Sequence, residues 1–504
     1  MQPKSLWREE PTIWRHRLGQ TLSRGVKGAL REAALLCGTS VVLRGLGVIR
    51  GTIVARLLLP ADYGVLATIL IAGYYLQALE MGVGFGTIRE IPMLRGQQKS
   101  DRIVNVEREV FWWEVGIGLV IGALVTLYLL GESSPTLRPA LPWLLLPVYV
   151  SVELMRNILQ CFLQGREEFA RFRRSMLWHG LTDLVLGVTL ASIWGLVGAM
   201  VALTLTSVVM VAYLLWDARE TRLWLPARLR VTTFRRLIGA GFPLMLQTLL
   251  WTNMTTIDKV IVLSFLTTET LAYYTMAQTV AASLLIVSGA VMRVEGPAII
   301  RRYGETGDPT TLHSRVMRAW LLLSYGQPLL LGAIWLVGPI FFDVVLPRYT
   351  TSAPLLDVMG GTFYAMGTAL GGSYLYVALG RQVLNGAFLV AGVLLSAGLS
   401  VALLSAGFGA MAVATATAAS ALFYLVALVA CGLRMVGRRG RWFVADMKQI
   451  MLPFAVCGML AVALWGAPQF GIDRLWVSLL SVTATAALAV RGLSLWLRMG
   501  ATVT

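Results

Sequence analysis

Arg44 and Arg50 stand in an apolar run, Arg44-Gly-Leu-Gly-Val-Ile-Arg50-Gly-Thr-Ile-Val-Ala-Arg56, that has the character of a membrane-crossing helix. A charge at the centre of such a helix costs roughly 2.5–3.5 kcal/mol, so it faces a bundle interior or a wet cavity. Two arginines in one span point to an internal, water-filled, positively charged space. The chemistry they offer is anion binding, because the guanidinium fork meets phosphate or carboxylate oxygens two at a time. The two are six positions apart, about 240° round a helix, and do not share one face. The expectation is that one points at the cavity while the other pairs with an acid such as Glu80.

Other charges fall inside apolar runs. Asp258 is read as a proton or sodium site, or as the partner of an arginine across the bundle. Arg293 and Glu295, beside Gly296-Pro297, are read as a gate or hinge, or else as an interface anchor. Glu153 and Arg156 are spaced to pair on one helix. His179 and Asp183, four apart, form a proton relay or a plain hydrogen bond, and Glu114 is placed near the membrane interface. Tyr364, Tyr374 and Tyr376 are read as packing or an aromatic belt, with stacking on sugars as the other use. Gly47-x-x-x-Gly51 and Gly118-x-x-x-Gly122 are close-packing motifs.

The elements that must hold these residues are helices. Of 504 residues, 57% are hydrophobic and only 14% charged, with mean hydropathy +0.71. The chain is read as an all-α polytopic membrane protein of about fourteen spans: 33–57, 63–88, 112–130, 141–163, 176–193, 195–216, 240–265, 271–299, 319–343, 353–379, 382–405, 407–433, 450–467 and 474–495. The net charge of +17 does not indicate nucleic acid. With the N-terminus inside, 34 of the 43 Lys and Arg lie in cytoplasmic segments and 4 in external turns, which places both termini in the cytoplasm.

Sliding the chain by 208 residues lays the Arg56–Ile69 segment over Ser264–Ala277 and Arg50 over Asp258. Six spans per repeat is even, so the halves run parallel. They form two six-helix lobes related by a pseudo-two-fold axis along the membrane normal. The division is a basic N-terminal segment (1–32), an N-lobe (33–217), a cytoplasmic linker (218–239), a C-lobe (240–433) and two further helices with a short tail (434–504). The first segment is either a helix lying on the membrane surface or a disordered tail.

The run Arg56-Leu-Leu-Leu-Pro60-Ala-Asp62-Tyr63-Gly64, and later Gly241-Phe-Pro243 leading through Asp258-Lys259 to Ala272-Tyr-Tyr274, resemble the polysaccharide transporter family. These are the Wzx-type oligosaccharide flippases of the multidrug/oligosaccharidyl-lipid/polysaccharide exporter superfamily. Ala272 stands where the family usually has glycine. The resemblance implies an inner-membrane flippase. It would turn an undecaprenyl-pyrophosphate-linked oligosaccharide from the cytoplasmic to the outer leaflet by alternating access, for O-antigen, capsule or exopolysaccharide. Polymerase and glycosyltransferase partners are implied with it.

A sugar cannot cross hydrocarbon bare, since each unpaired hydroxyl costs roughly 2–7 kcal/mol to desolvate. The expected substrate contacts are therefore Arg44, Arg50, Gln77, Glu80, Gln247 and Trp251. No catalytic group, metal site or cofactor is expected, and coupling to H+ or Na+ is open. Two rivals share the superfamily, a lipid II flippase and an ion-coupled multidrug antiporter. A polytopic glycosyltransferase or polymerase would need a large external loop, and the external turns are short.

Overall fold

The computed structural model describes residues 35–36, 38–131, 141–219, 223–466 and 473–501, and the expectations for 1–32 lie outside them. All regular structure among the described residues is helical. Among the described residues nine helices are long and apolar enough to cross a membrane, or ten with one bent pair, against the fourteen spans expected. The protein is a multi-pass membrane protein.

The first helix, α1, covers 38–57. Leu59 is extended, and Pro60 opens α2 (Pro60–Gln77) with Asp62 in its first turn. Proline suits that position because its missing N–H has no partner there, and the acid suits the positive helix end. A turn of 3-10 helix (Ala78–Glu80) and a left-handed pair, Met81 (φ 55) and Gly82 (φ 78), then break the span. It resumes as α3 (Val83–Gly96), bent by 46°. Helices α4 (Ser100–Gly131) and α5 (Leu141–Gly165) follow.

The next helix, α6 (Phe169–Asp217), is 49 residues long and holds two of the expected spans. Gly195, at φ 57 and ψ −131, turns the chain between them, in backbone space open to glycine alone. A Cβ added at Gly198 would overlap the carbonyl of Leu190, eight residues back, which a straight helix would set about 12 Å away.

The second group repeats the first. Helix α7 (Val231–Asn253) breaks before α8 (Ile257–Phe265), and α9 (Thr268–Ala281) breaks before α10 (Leu284–Thr306). Helices α11 (His313–Val344), α12 (Ser352–Ala378), α13 (Gln382–Ser405) and α14 (Gly409–Met435) complete it. Pro60 and Thr268, the first residues of α2 and α9, are 208 positions apart, and so are the ends of α1 and α8. The repeat is therefore visible in element ends where residue identity is faint.

The groups meet along the second span. Helix α2 packs on α9 and α3 on α7. Both contacts bring backbone to backbone. A Cβ on Gly64 would overlap the Thr268 carbonyl, and one on Gly86 would overlap the Leu237 carbonyl. Tyr75 donates to Asn253 (2.6 Å), and Arg236 pairs with Glu90 (2.9 Å).

Helices α15 (Gly440–Gly466) and α16 (Arg474–Ala501) pack on α11 and α12. The Arg474 guanidinium donates to both oxygens of Asp357 (2.8 and 2.6 Å), a carboxylate only 5% exposed. Removing one partner of a buried pair strands the other charge, at about 3–5 kcal/mol. Arg474→Ala is therefore expected to lower Tm clearly. Asp357→Leu/Arg474→Leu should recover most of the loss, checked by thermal unfolding in detergent.

Candidate functional site

A cavity of about 650 Å³ lies between the two helix groups. Its wall from the first group is α1, with Ser40, Arg44, Gly47 and Val48. From the second come Thr252, Thr255, Thr256 and Lys259 around the α7–α8 break, and Gln278, Thr279 and Ala282 at the end of α9. Thr252, Thr256 and Lys259 also line an adjoining space of about 250 Å³ that reaches Arg50, Tyr63 and Tyr74. Arg44 also lines a third, of about 320 Å³, between α1 and α10 with Gly289 and Arg293. The first space shares a wall with each of the other two. Arg44 and Lys259 thus border the first, with Arg50 on the second and Arg293 on the third.

Local chemistry explains the polar lining. Where α7 stops, backbone groups lose their helical partners. The Gln278 amide donates to the freed Thr255 carbonyl (2.9 Å), and Asn253 turns its amide back to Leu249 (2.9 Å). The breaks supply polarity where a continuous helix would bury it. Gly47 and Gly51 meet nothing within 4 Å of a built Cβ, so they open the cavity rather than pack a helix pair, contrary to the close-packing expectation. Gly118 and Gly122 do pack closely, each with a Cβ position 3.2 Å from Ser151.

The expected partners of the arginines are corrected. Arg50 pairs with Asp183 of α6 (3.4 Å), inside its own group, and not with Asp258 or Glu80. Arg44 stays on the cavity wall, its guanidinium 3.4 Å from the Ala282 carbonyl. Asp258 is buried and held within the second group. It accepts from Tyr274 (2.7 Å), Gln278 (3.3 Å) and the Lys259 amide (2.8 Å), which leaves no arginine across the groups. Glu80 does not reach the cavity. It is buried inside the first group beside Gly84 and Cys161. Glu114, expected at the interface, is fully buried near it.

Other expectations fall variously. Glu153 and Arg156 do pair (2.5 Å), and Ser207 adds a bond to the carboxylate. Tyr364 stacks on Phe454 and Tyr376 donates to the Leu428 carbonyl, both as packing. Trp251 lies edge-on to Tyr424 in the core of the second group. Gln77 and Gln247 are half-buried and border none of the three spaces. Arg293 reaches the Leu36 carbonyl (3.5 Å). Helix α10 continues unbroken through Glu295 and Pro297, and the break of that span lies at Ala282–Ser283. Proline is tolerated in membrane helices when neighbours satisfy the freed groups. Gly296 serves close packing, since a Cβ there would sit 2.7 Å from the Tyr374 ring.

Lys259 and the threonines of 252–256 were not among the expected contacts. Lysine inside an apolar run was the available signal.

The fold is shared with solved transporters. The lipid II flippase MurJ in an inward closed conformation matches at TM-score 0.66 and 16% identity, over 91% of this chain and 98% of that one. An inward-facing multidrug resistance MATE family transporter of the MOP superfamily matches at 0.60 and 16%, over 82% and 95%. A MOP superfamily transporter from Pyrococcus furiosus matches at 0.53 and 15%, over 86% and 95%. No curated protein matches. Residues 53–340 match the family model described as polysaccharide biosynthesis protein. That stretch holds the α1–α2 turn, both broken spans of the site and the contact between the groups, and by this match the chain belongs to the polysaccharide biosynthesis protein family.

Proposed function

We propose that the protein is a flippase that carries an undecaprenyl-pyrophosphate-linked oligosaccharide from the cytoplasmic to the outer leaflet of the inner membrane, by alternating access, for surface polysaccharide assembly. The observation that carries this reading is the juxtaposition of Arg44 from one helix group with Lys259 from the other on one cavity. Each cation alone is a costly intrusion into the membrane. Together they suit a diphosphate held between two bodies that move apart.

Each half of the reading has its residues. Arg44 binds diphosphate oxygens in a fork and Lys259 acts as a point charge. Thr252, Thr255, Thr256, Gln278 and Thr279 supply hydroxyls and an amide for the first sugars. About 650 Å³ is in the range of sites that enclose a ligand of a few hundred daltons. The lipid tail stays in the bilayer and leaves the cavity between α1 and α10, where Ser40, Gly289 and Ala290 keep the walls low. Asp258, with its hydroxyl, amide and backbone donors, is the reading's site for a coupling proton or sodium ion. Polymerase and glycosyltransferases are the natural neighbours of such a carrier.

The test is transport in proteoliposomes. Labelled undecaprenyl-pyrophosphate-linked glycan is placed in one leaflet and its arrival in the other is followed. Arrival that depends on the protein supports the reading. Faster movement of lipid II than of other glycans transfers the chain to peptidoglycan. Gradient-driven efflux of a cationic dye, with no glycan movement, makes it a drug antiporter.

A further inference from the structure

The break in the second span carries a buried acid that the cavity does not use. Glu80 ends the 3-10 turn at Ala78–Glu80 and is 5% exposed, and Glu114 of α4 is 0% exposed. The Glu80 charge acts on Glu114, and both acids act on Cys161 of α5. Three of their four carboxyl oxygens, Glu80 Oε2 and both of Glu114, have no hydrogen-bond partner among the described residues. The space beside them is tight and apolar: a Cβ on Gly84 would lie 3.4 Å from Glu80 Oε1 and 3.2 Å from Cys161 Sγ.

The titratable groups packed around the pair are few. Helix α5 contributes Cys161 and, farther off, Arg156. Arg156 is already bound by Glu153 and Gln160. Helices α3 and α7 meet here through Gly82, Gly86, Leu237, Gly241 and Met245, none of which carries a charge. An unpaired buried carboxylate is too costly to persist, and two side by side cannot both ionise.

From this we propose that Glu80 and Glu114 form a proton-binding site inside the first helix group, and that its proton sets the bend of the second span. The link to motion is local. Glu80 is followed directly by Met81 and Gly82, both in left-handed backbone. A non-glycine residue there is strained by roughly 1–2 kcal/mol, so the break is held by its surroundings. With both carboxyls protonated, the pair sits neutral in the apolar core and α3 lies on α7; loss of one proton leaves a single carboxylate there. When the proton leaves, the carboxylate draws water to the break, and α3 is released from the other group. The site lies apart from Asp258, which is in the second group.

The test needs no lipid-linked substrate, so its failure is distinct from failure of the flippase reading. Wild type and Glu80→Gln/Glu114→Gln are reconstituted in nanodiscs and titrated with acid and base. The expected infrared difference between them is a protonated-carboxyl band of about two groups per molecule, of which about one disappears as pH rises. Amide exchange across Ala78–Gly86, corrected for intrinsic rates, rises at least tenfold over the same range in wild type and stays flat in the variant. If the double variant does not fold, Glu80→Gln alone serves: the remaining carboxyl keeps its proton throughout, and the pH response of the break is lost. Identical infrared bands in wild type and variant overturn the proposal. So does a band that sodium removes at constant pH, or a break whose exchange responds equally in both proteins.

Discussion

Arg44→Ala and Lys259→Ala are each expected to slow glycan flipping by about 10- to 100-fold. The figure follows from one charge-assisted hydrogen bond, worth about 1.5–3 kcal/mol, at about 1.4 kcal/mol per factor of ten. Both residues border the same cavity, one from each helix group. Their effects should therefore combine to less than the product of the single losses, because both act on one diphosphate. Arg44→Glu should be more severe than Arg44→Ala, since it adds repulsion to a lost contact. Arg301→Ala is the control: Arg301 is exposed and paired with Glu305 on its own helix, so flipping should not change. Initial rates in proteoliposomes at equal protein density give the comparison. Equal rates for wild type, Arg44→Ala and Lys259→Ala would mean that the cavity cations do not touch the transported group.

Gly241→Val is expected to abolish transport through geometry alone. A Cβ at Gly241 would overlap the Gly82 carbonyl and lie 2.5 Å from the Gly86 amide nitrogen. Both obstacles are backbone, and neither can rotate away as a side chain would. The two broken spans then cannot close on one another, and the Glu90–Arg236 pair beside them is pulled apart. Helix α7 itself tolerates valine at a cost of well under 1 kcal/mol, so insertion and helix content should survive. The expected result is a protein of normal yield and helicity that moves no glycan. Protease or thiol access at the α3–α7 face should rise several-fold over wild type. Gly239→Val is the matched control, because Gly239 meets nothing within 4 Å. Wild-type transport by Gly241→Val would show that this face never closes during the cycle.

How much of this was legible beforehand divides along a physical line. A helix in lipid must satisfy its backbone internally, so hydropathy and turn residues reveal it without knowledge of its neighbours. The all-α architecture, the Pro60 start of α2 and the 208-residue repeat are of this kind. They depend on local sequence, and element ends at 57 and 265, 60 and 268 answer to it. The pair Glu153–Arg156 was legible for the same reason, being one turn apart on one helix.

Partners between helices were not legible. Arg50 takes Asp183, more than a hundred positions away, while the repeat pointed to Asp258. That acid is instead satisfied by Tyr274 and Gln278. Which charges meet depends on helix rotation and crossing, set by packing and close approaches such as Gly86 to Leu237. The same holds for the glycines: Gly47-x-x-x-Gly51 and Gly118-x-x-x-Gly122 share a spacing, yet one pair faces open space and the other Ser151. The sequence by itself determined that helices cross a membrane, that they come in two related sets, and that cations stand among them. Only the tertiary structure decided that Lys259 joins Arg44 on one wall and that Glu80 turns away from both. Those outcomes are sums of contacts between distant segments, and no local pattern encodes them.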